Sequence, residues 1–245
     1  MITLVKVEWR KLSRTPFWFA SIAASAFGSL AVLTISFNSQ DIWFAYIHSN
    51  LLLTHALLIP LVMGLMAAYV FGREYVAGTA AGLRLSRFTV RQVVLAKYGC
   101  VLGVGLLMSG IAVATALVAG MATGLRGFYW ELVLKYGVVS LLSCVFAACS
   151  APLVGAVAVW EKGFFAASVL AAAAPLIGLL GSAGLASRLN PWGLPTLFVG
   201  RFLDLVFRDP LLAMEPVWPT AVVSLLAGLM ATVAVQSRAD IHLER

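Results

Sequence analysis

The side chains able to do chemistry are few and badly spaced for catalysis. Cys100, Cys144 and Cys149 all lie within apolar runs, where they form neither a disulfide framework nor a zinc-ligand spacing and read as small, buried filler. No HExxH zinc site, GxSxG nucleophile turn or GxxxxGK[ST] phosphate loop occurs in the chain. Gly103, Gly105 and Gly110 miss the spacing of a dinucleotide fingerprint and sit in an apolar run rather than a strand-to-helix turn. No enzymatic activity is expected, and no cofactor within this chain. His55 stands near the start of an apolar run, where the expectation is a hydrogen bond close to the outer membrane interface rather than a proton relay. No Asp, Glu, Lys or Arg falls deep inside an apolar run, Lys135 being the nearest exception, whereas proton-coupled pumps keep such groups in their pathway.

The elements that must position the remaining polar residues follow from composition. At 62% hydrophobic and 11% charged residues, the chain lies far from the soluble balance of roughly 45–50% apolar and about 25% charged. Apolar runs of about 20 residues recur along its whole length, so the bilayer is the solvent and one all-α membrane domain fills residues 1–245. The pattern predicts six transmembrane helices near 17–37, 51–72, 98–123, 134–159, 164–186 and 217–236. The charged opening lacks the form of a signal peptide, so the first apolar segment is expected to remain in the mature chain.

A net charge of +7 would suggest a nucleic-acid partner in a soluble protein, but its placement here is an orientation signal and no nucleic acid is expected. With both termini cytoplasmic, twelve basic residues lie inside (Lys6, Arg10, Lys11, Arg14, Arg73, Arg84, Arg87, Arg91, Lys97, Lys162, Arg238, Arg245) and five outside (Arg126, Lys135, Arg188, Arg201, Arg208).

Three polar segments are left to carry specific function. In residues 2–14 a helical wheel puts Ile2, Val5, Trp9 and Leu12 on one face and Lys6, Arg10 and Arg14 on another, as in a helix lying in the membrane interface with the lipid bilayer as its partner. Residues 187–216 are apolar but broken by Pro191, Pro195, Pro210 and Pro216. They predict short helices lying on or dipping into the outer leaflet, with Arg201, Asp204 and Arg208 at helical spacing. The loop between the second and third spans, FGREYVAGTAAGLRLSRFTVRQVVLAKY, reads as a helix that breaks at Gly78-Thr79, a short transverse helix, and a restart capped by Thr89 and Gln92 in a T-x-x-Q box.

This loop resembles the E…GT…R…K passage between the second and third helices of ABC-2 type permeases, and the opening E-W-R-K-L-x-R-T (Glu8, Trp9, Arg10, Lys11 and beyond) resembles their E-x-x-K-L-x-R start. Size and layout are most similar to permeases of bacitracin or lantibiotic self-protection, although Leu85 stands where a proline is usual before the loop's Ser-Arg. The resemblance implies a coupling helix around 77–86 seated in a separate ATPase subunit, with ATP and Mg²⁺ held by that partner and a second permease chain, identical or homologous, completing the transporter. It implies that Glu74, Gly78 and Thr79 shape the coupling loop, that Arg84 lies within it, and that Arg87, Arg91 and Lys97 anchor the restart. The bacterial inner membrane is the implied location, and export of a hydrophobic or amphipathic cargo such as a peptide antibiotic, drug or lipid the implied activity. A secondary transporter or channel, and a membrane scaffold or sensor that uses the loop only for docking, remain as alternatives.

Overall fold

The computed structural model describes residues 2–36, 42–79, 88–180, 190–204 and 217–241, with side chains described at all of these except 35–36, 201–204 and 238–241. Among the described residues every element is helical: α1 (Ile2–Ser13), α2 (Pro16–Ser36), α3 (Trp43–Asn50), a π-helical segment (Leu51–Leu58), α4 (Ile59–Val76), α5 (Val90–Ala122), α6 (Trp130–Trp160), α7 (Phe165–Leu180), α8 (Leu194–Asp204) and α9 (Trp218–Ile241).

Five helices are long and apolar enough to cross a membrane: Pro16–Thr34, Trp43–Val76, Val90–Ala122, Trp130–Trp160 and Trp218–Ser237. The sixth expected span, 164–186, is represented by the 16 residues of Phe165–Leu180, with 181–186 outside the described residues. Two spans are much longer than hydropathy indicates. The second begins at Trp43 rather than 51, and the third at Val90 rather than 98. Backbone hydrogen bonding continues past the apolar stretch, and at about 1.5 Å per residue α5 is roughly 50 Å long against a hydrocarbon core of about 30 Å. Its polar first turns therefore project beyond the lipid tails.

Helix α6 forms the spine and packs against α4, α5, α7 and α9. Two apolar clusters divide the bundle lengthwise. One, at the α1 end, joins Leu12, Met63, Phe71, Val101, Met108 and Ala151. The other joins Trp43, Tyr46, Tyr136, Phe146 and Phe198. Small residues bring backbones close, as expected where bilayer and helix are equally apolar and only shape drives association. A Cβ on Gly72 would overlap the carbonyl of Gly163, so the α4 end lies directly on the turn between α6 and α7. Gly103 receives the Trp9 indole and Gly120 the Trp43 indole, whereas nothing approaches the Cβ positions of Gly99 and Gly124. Gly99 with Gly103, and Gly120 with Gly124, have small-xxx-small spacing, and one glycine of each pair thus serves packing within the chain.

The interfacial helix is present as α1, turned differently from the wheel. Leu4, Glu8 and Leu12 are buried while Ile2 is 76% exposed. A buried acid on the inner face shows that α1 docks on the bundle as well as facing outward. The outer segment supplies α8, whose Leu194, Phe198 and Val199 are fully buried against α6 and the π segment; 187–189 and 205–216 lie outside the described residues.

Overpacking a tight backbone contact costs about 1–3 kcal/mol. Gly72→Ala should therefore destabilise the chain by about that amount in a nanodisc unfolding assay, while Gly99→Ala, which meets open space, should leave stability unchanged within about 0.5 kcal/mol.

Candidate functional site

The site begins with two local signals that stop and restart the chain. Gly78 adopts φ +67°, a left-handed conformation natural to glycine, and Thr79 N–H donates to the Glu74 carbonyl at 2.9 Å while Gly78 N–H donates to that of Tyr75 at 3.1 Å. This is a Schellman stop, which satisfies the last carbonyls of α4. Ten residues later Thr89 and Gln92 form the expected reciprocal capping box: Thr89 N–H donates to Gln92 Oε1 at 3.0 Å and Gln92 N–H to Thr89 Oγ1 at 3.3 Å. Of the coupling helix expected around 77–86, residues 77–79 form this stop rather than a helix, and 80–86, with Arg84, lie outside the described residues, as does Arg87.

Below these two ends lies a buried ionic network. Lys97 Nζ donates to Glu74 Oε2 and to the Val70 carbonyl, both at 2.7 Å. Arg73 Nη2 donates to Glu8 Oε2 at 2.6 Å. Lys11 Nζ joins the two halves, 2.9 Å from Glu8 Oε1 and 3.3 Å from Glu74 Oε1. Three cations and two carboxylates thus tie α1, the end of α4 and the start of α5 into one body. Glu8 is 2% exposed and Lys97 1%. Trp9 packs edge-on against Trp18 at 5.3 Å and covers Gly103, pressing α1 onto the bundle.

The sequence-predicted residues separate into three groups. Glu74, Lys97, Glu8 and Lys11 meet in the network; Gly78, Thr79 and Arg91 are exposed around it, as is Arg10 on the outer side of α1. Arg201 and Asp204 lie on α8, which packs on α6 and the π segment; their side chains are outside those described. Sequence reasoning did not assign a site role to Arg73 or Glu161. Arg73 carried no motif, and only folding brings it to Glu8. Glu161 caps the next helix, accepting from Ala166 N–H at 2.8 Å and Ala167 N–H at 3.0 Å, beside the Gly72–Gly163 contact. Its position five residues before the α7 amides was a legible capping signal.

A surface concavity of about 400 Å³ opens over the network, lined by Lys11, Tyr69, Arg73, Glu74, Thr79 and Phe164. Chemically it offers anchored charge and no nucleophile: the arrangement can hold or transmit, and among the described residues no three potential metal ligands gather.

Together these features describe a multi-pass membrane protein whose buried charges, among the described residues, gather beside one loop. A model of the family described as ABC-2 family transporter protein matches residues 4–177, which cover α1, the loop and the network. The chain belongs to the ABC-2 transporter family and is a membrane permease component of an ABC transporter, a class that implies association with an ATPase subunit. No individual curated protein matches it.

Removing one partner of a buried pair strands the other charge and costs about 3–5 kcal/mol, whereas removing both is often nearly neutral. Glu74→Gln should destabilise by about 3–5 kcal/mol in nanodisc unfolding, and the Glu74→Leu/Lys97→Met double change should recover most of that loss.

Lys11 supplies a pH test. Burial alone would lower its pKa, but hydrogen bonds and attraction from Glu8 and Glu74 outweigh burial and raise it. Its stabilising share is complete below the ordinary lysine value near 10.4 and is lost as pH climbs through the raised one. Lys11→Gln should therefore fall below the native chain in stability at pH 7–9, and the two should converge under strong alkali. The difference is small because Lys11 is 44% exposed.

Proposed function

We propose that this chain is the permease of a bacterial inner-membrane ABC exporter with both termini cytoplasmic, crossing the membrane six times with α7 as the fifth crossing. A separate ATPase, which holds ATP and Mg²⁺, docks on the loop between α4 and α5. A second permease chain, identical or homologous, completes the pathway. This chain itself carries out no catalysis.

The observation that carries the reading is the ionic network at both ends of that loop. A force on 80–88 reaches α4 through Glu74 and α5 through Lys97, and both are bonded to α1 or to each other. Because breaking such a pair costs about 3–5 kcal/mol, the three helices move as a unit when the ATPase closes. Arg91, exposed in the first turn of α5, and the concavity beside Thr79 give the partner a polar footing. The cargo is a hydrophobic or amphipathic molecule, a peptide antibiotic, drug or lipid, as in bacitracin or lantibiotic self-protection. The apolar helix walls and the absence of Asp, Glu, Lys or Arg midway along the described spans support that choice.

The test is co-purification of the tagged chain with the products of its neighbouring genes in nanodiscs. The native chain should retain a nucleotide-binding protein, and Arg91→Glu should lose it while keeping a monodisperse, helical permease. A chain that purifies alone and moves solute without ATP would overturn the proposal. ATPase activity stimulated by a small hydrophilic solute, and not by amphipathic peptides, would overturn the choice of cargo.

A further inference from the structure

Halfway along the second span the helix changes form, and the cause is Pro60. A proline inside an α-helix lacks an N–H and crowds the carbonyl four residues back. Over Leu51–Leu58 the chain widens to π-helical bonding, with Ile59 N–H donating to the Thr54 carbonyl five residues earlier. The His55 carbonyl would then look to position 60, where proline has nothing to give. Ser143 Oγ on α6 supplies the missing bond at 3.2 Å. Short π segments inside α-helices are frequent at functional sites.

The widened turn also gathers polar side chains. In a π-helix the residues four and five ahead flank a given position, so Thr54 and His55 stand on either side of Asn50, with Thr54 Oγ1 against Gly28 of α2. All three are completely buried. Asn50 Oδ1 accepts from Tyr136 OH at 2.7 Å, and the His55 ring meets the Tyr136 ring edge-on at 5.9 Å. Yet Asn50 Nδ2, Thr54 Oγ1 and both ring nitrogens of His55 find no hydrogen-bond partner in the protein. His55, expected near the start of its span, lies well inside it, because the span begins at Trp43. Thr196, on the helix that packs against the π segment, is likewise buried with Oγ1 unpartnered. Leaving one such group unpaired costs about 1–3 kcal/mol, and native interiors avoid it.

We propose that Asn50, Thr54 and His55 form a binding site, inside the membrane domain, for a neutral hydrogen-bonding group: a water molecule, or the hydroxyl of an amphipathic cargo. The donor set fits that class. An amide N–H₂, a hydroxyl and a neutral imidazole with one donor and one acceptor nitrogen offer both roles and no charge. The span itself offers a charged ligand no counterion, since no Asp, Glu, Lys or Arg lies between Trp43 and Leu58 on it. The site is at the boundary of the two apolar clusters, with Leu51 in one and Ile59 in the other. The water source is independent of the exporter reading; only the cargo source rests on it.

The experiment uses the full chain labelled with ¹⁵N-histidine in proteoliposomes. Water-edited solid-state NMR reads transfer from water to His55, assigned by its loss in His55→Phe, with 1-octanol and octane as membrane-borne probes with and without a hydroxyl. Transfer to the His55 ring that Thr54→Val weakens, and that neither probe alters, identifies water as the occupant. Loss of that transfer with 1-octanol and not with octane identifies a site that also accepts a cargo hydroxyl. No transfer from water, with no 1-octanol-dependent shift of the ring nitrogens, overturns the proposal. A thermal scan supplies a second reading: unpaired groups predict that His55→Phe raises the melting temperature, whereas a bound partner predicts that it falls. Cargo transport that failed with the water transfer intact would count against the exporter reading and leave the site standing.

Discussion

A charge out of water must find an opposite charge or a dipole, and Lys97 imposes that condition on everything around the loop. Its ammonium is sealed between Glu74 and the Val70 carbonyl, so the end of α4 can sit in only one place relative to α5. Glu74 in turn reaches Lys11, and Lys11 reaches Glu8, which requires Arg73. Each residue fixes the next element, and α1 is held by this chain of obligations as much as by its apolar face. The odd count of charges is tolerable because Lys11, the surplus cation, is the member left half in water.

A second obligation governs the opposite half of the bundle. Pro60 withholds one amide; the helix answers by widening, and α6 answers with Ser143. Both halves thus rest on satisfying polar groups where solvent is scarce, one with ions and the other with neutral groups. Shape does the remaining work. Glycines at 72, 103 and 120 are opposed by a backbone carbonyl and two tryptophan rings, contacts that need fit rather than affinity in a medium as apolar as the side chains themselves.

Much of this was legible in the chain itself. Hydropathy located five of the expected spans, and the loop's stop and restart could be read because Gly78 and the Thr89–Gln92 box act through bonds spanning only a few residues. The start of α3 was not legible, since a helix does not stop where its residues cease to be greasy. Glu8 and Lys11 could be named from the family-like opening, but their meeting with Arg73 and Glu74 spans more than sixty positions and follows only from folding. The wheel placed Glu8 on no apolar face, and its burial became intelligible only with Arg73 opposite. The surroundings of His55 were not legible for the same reason: whether a ring nitrogen has a partner in the protein depends on which neighbours α6 and α8 present.

The stop at Gly78 and the restart at Thr89 are self-contained: each closes its own helix end with bonds to residues at most five positions away. The segment between them therefore carries none of the burden of terminating α4 or starting α5. The two helices thus keep their lengths and their closed ends whatever sequence joins them.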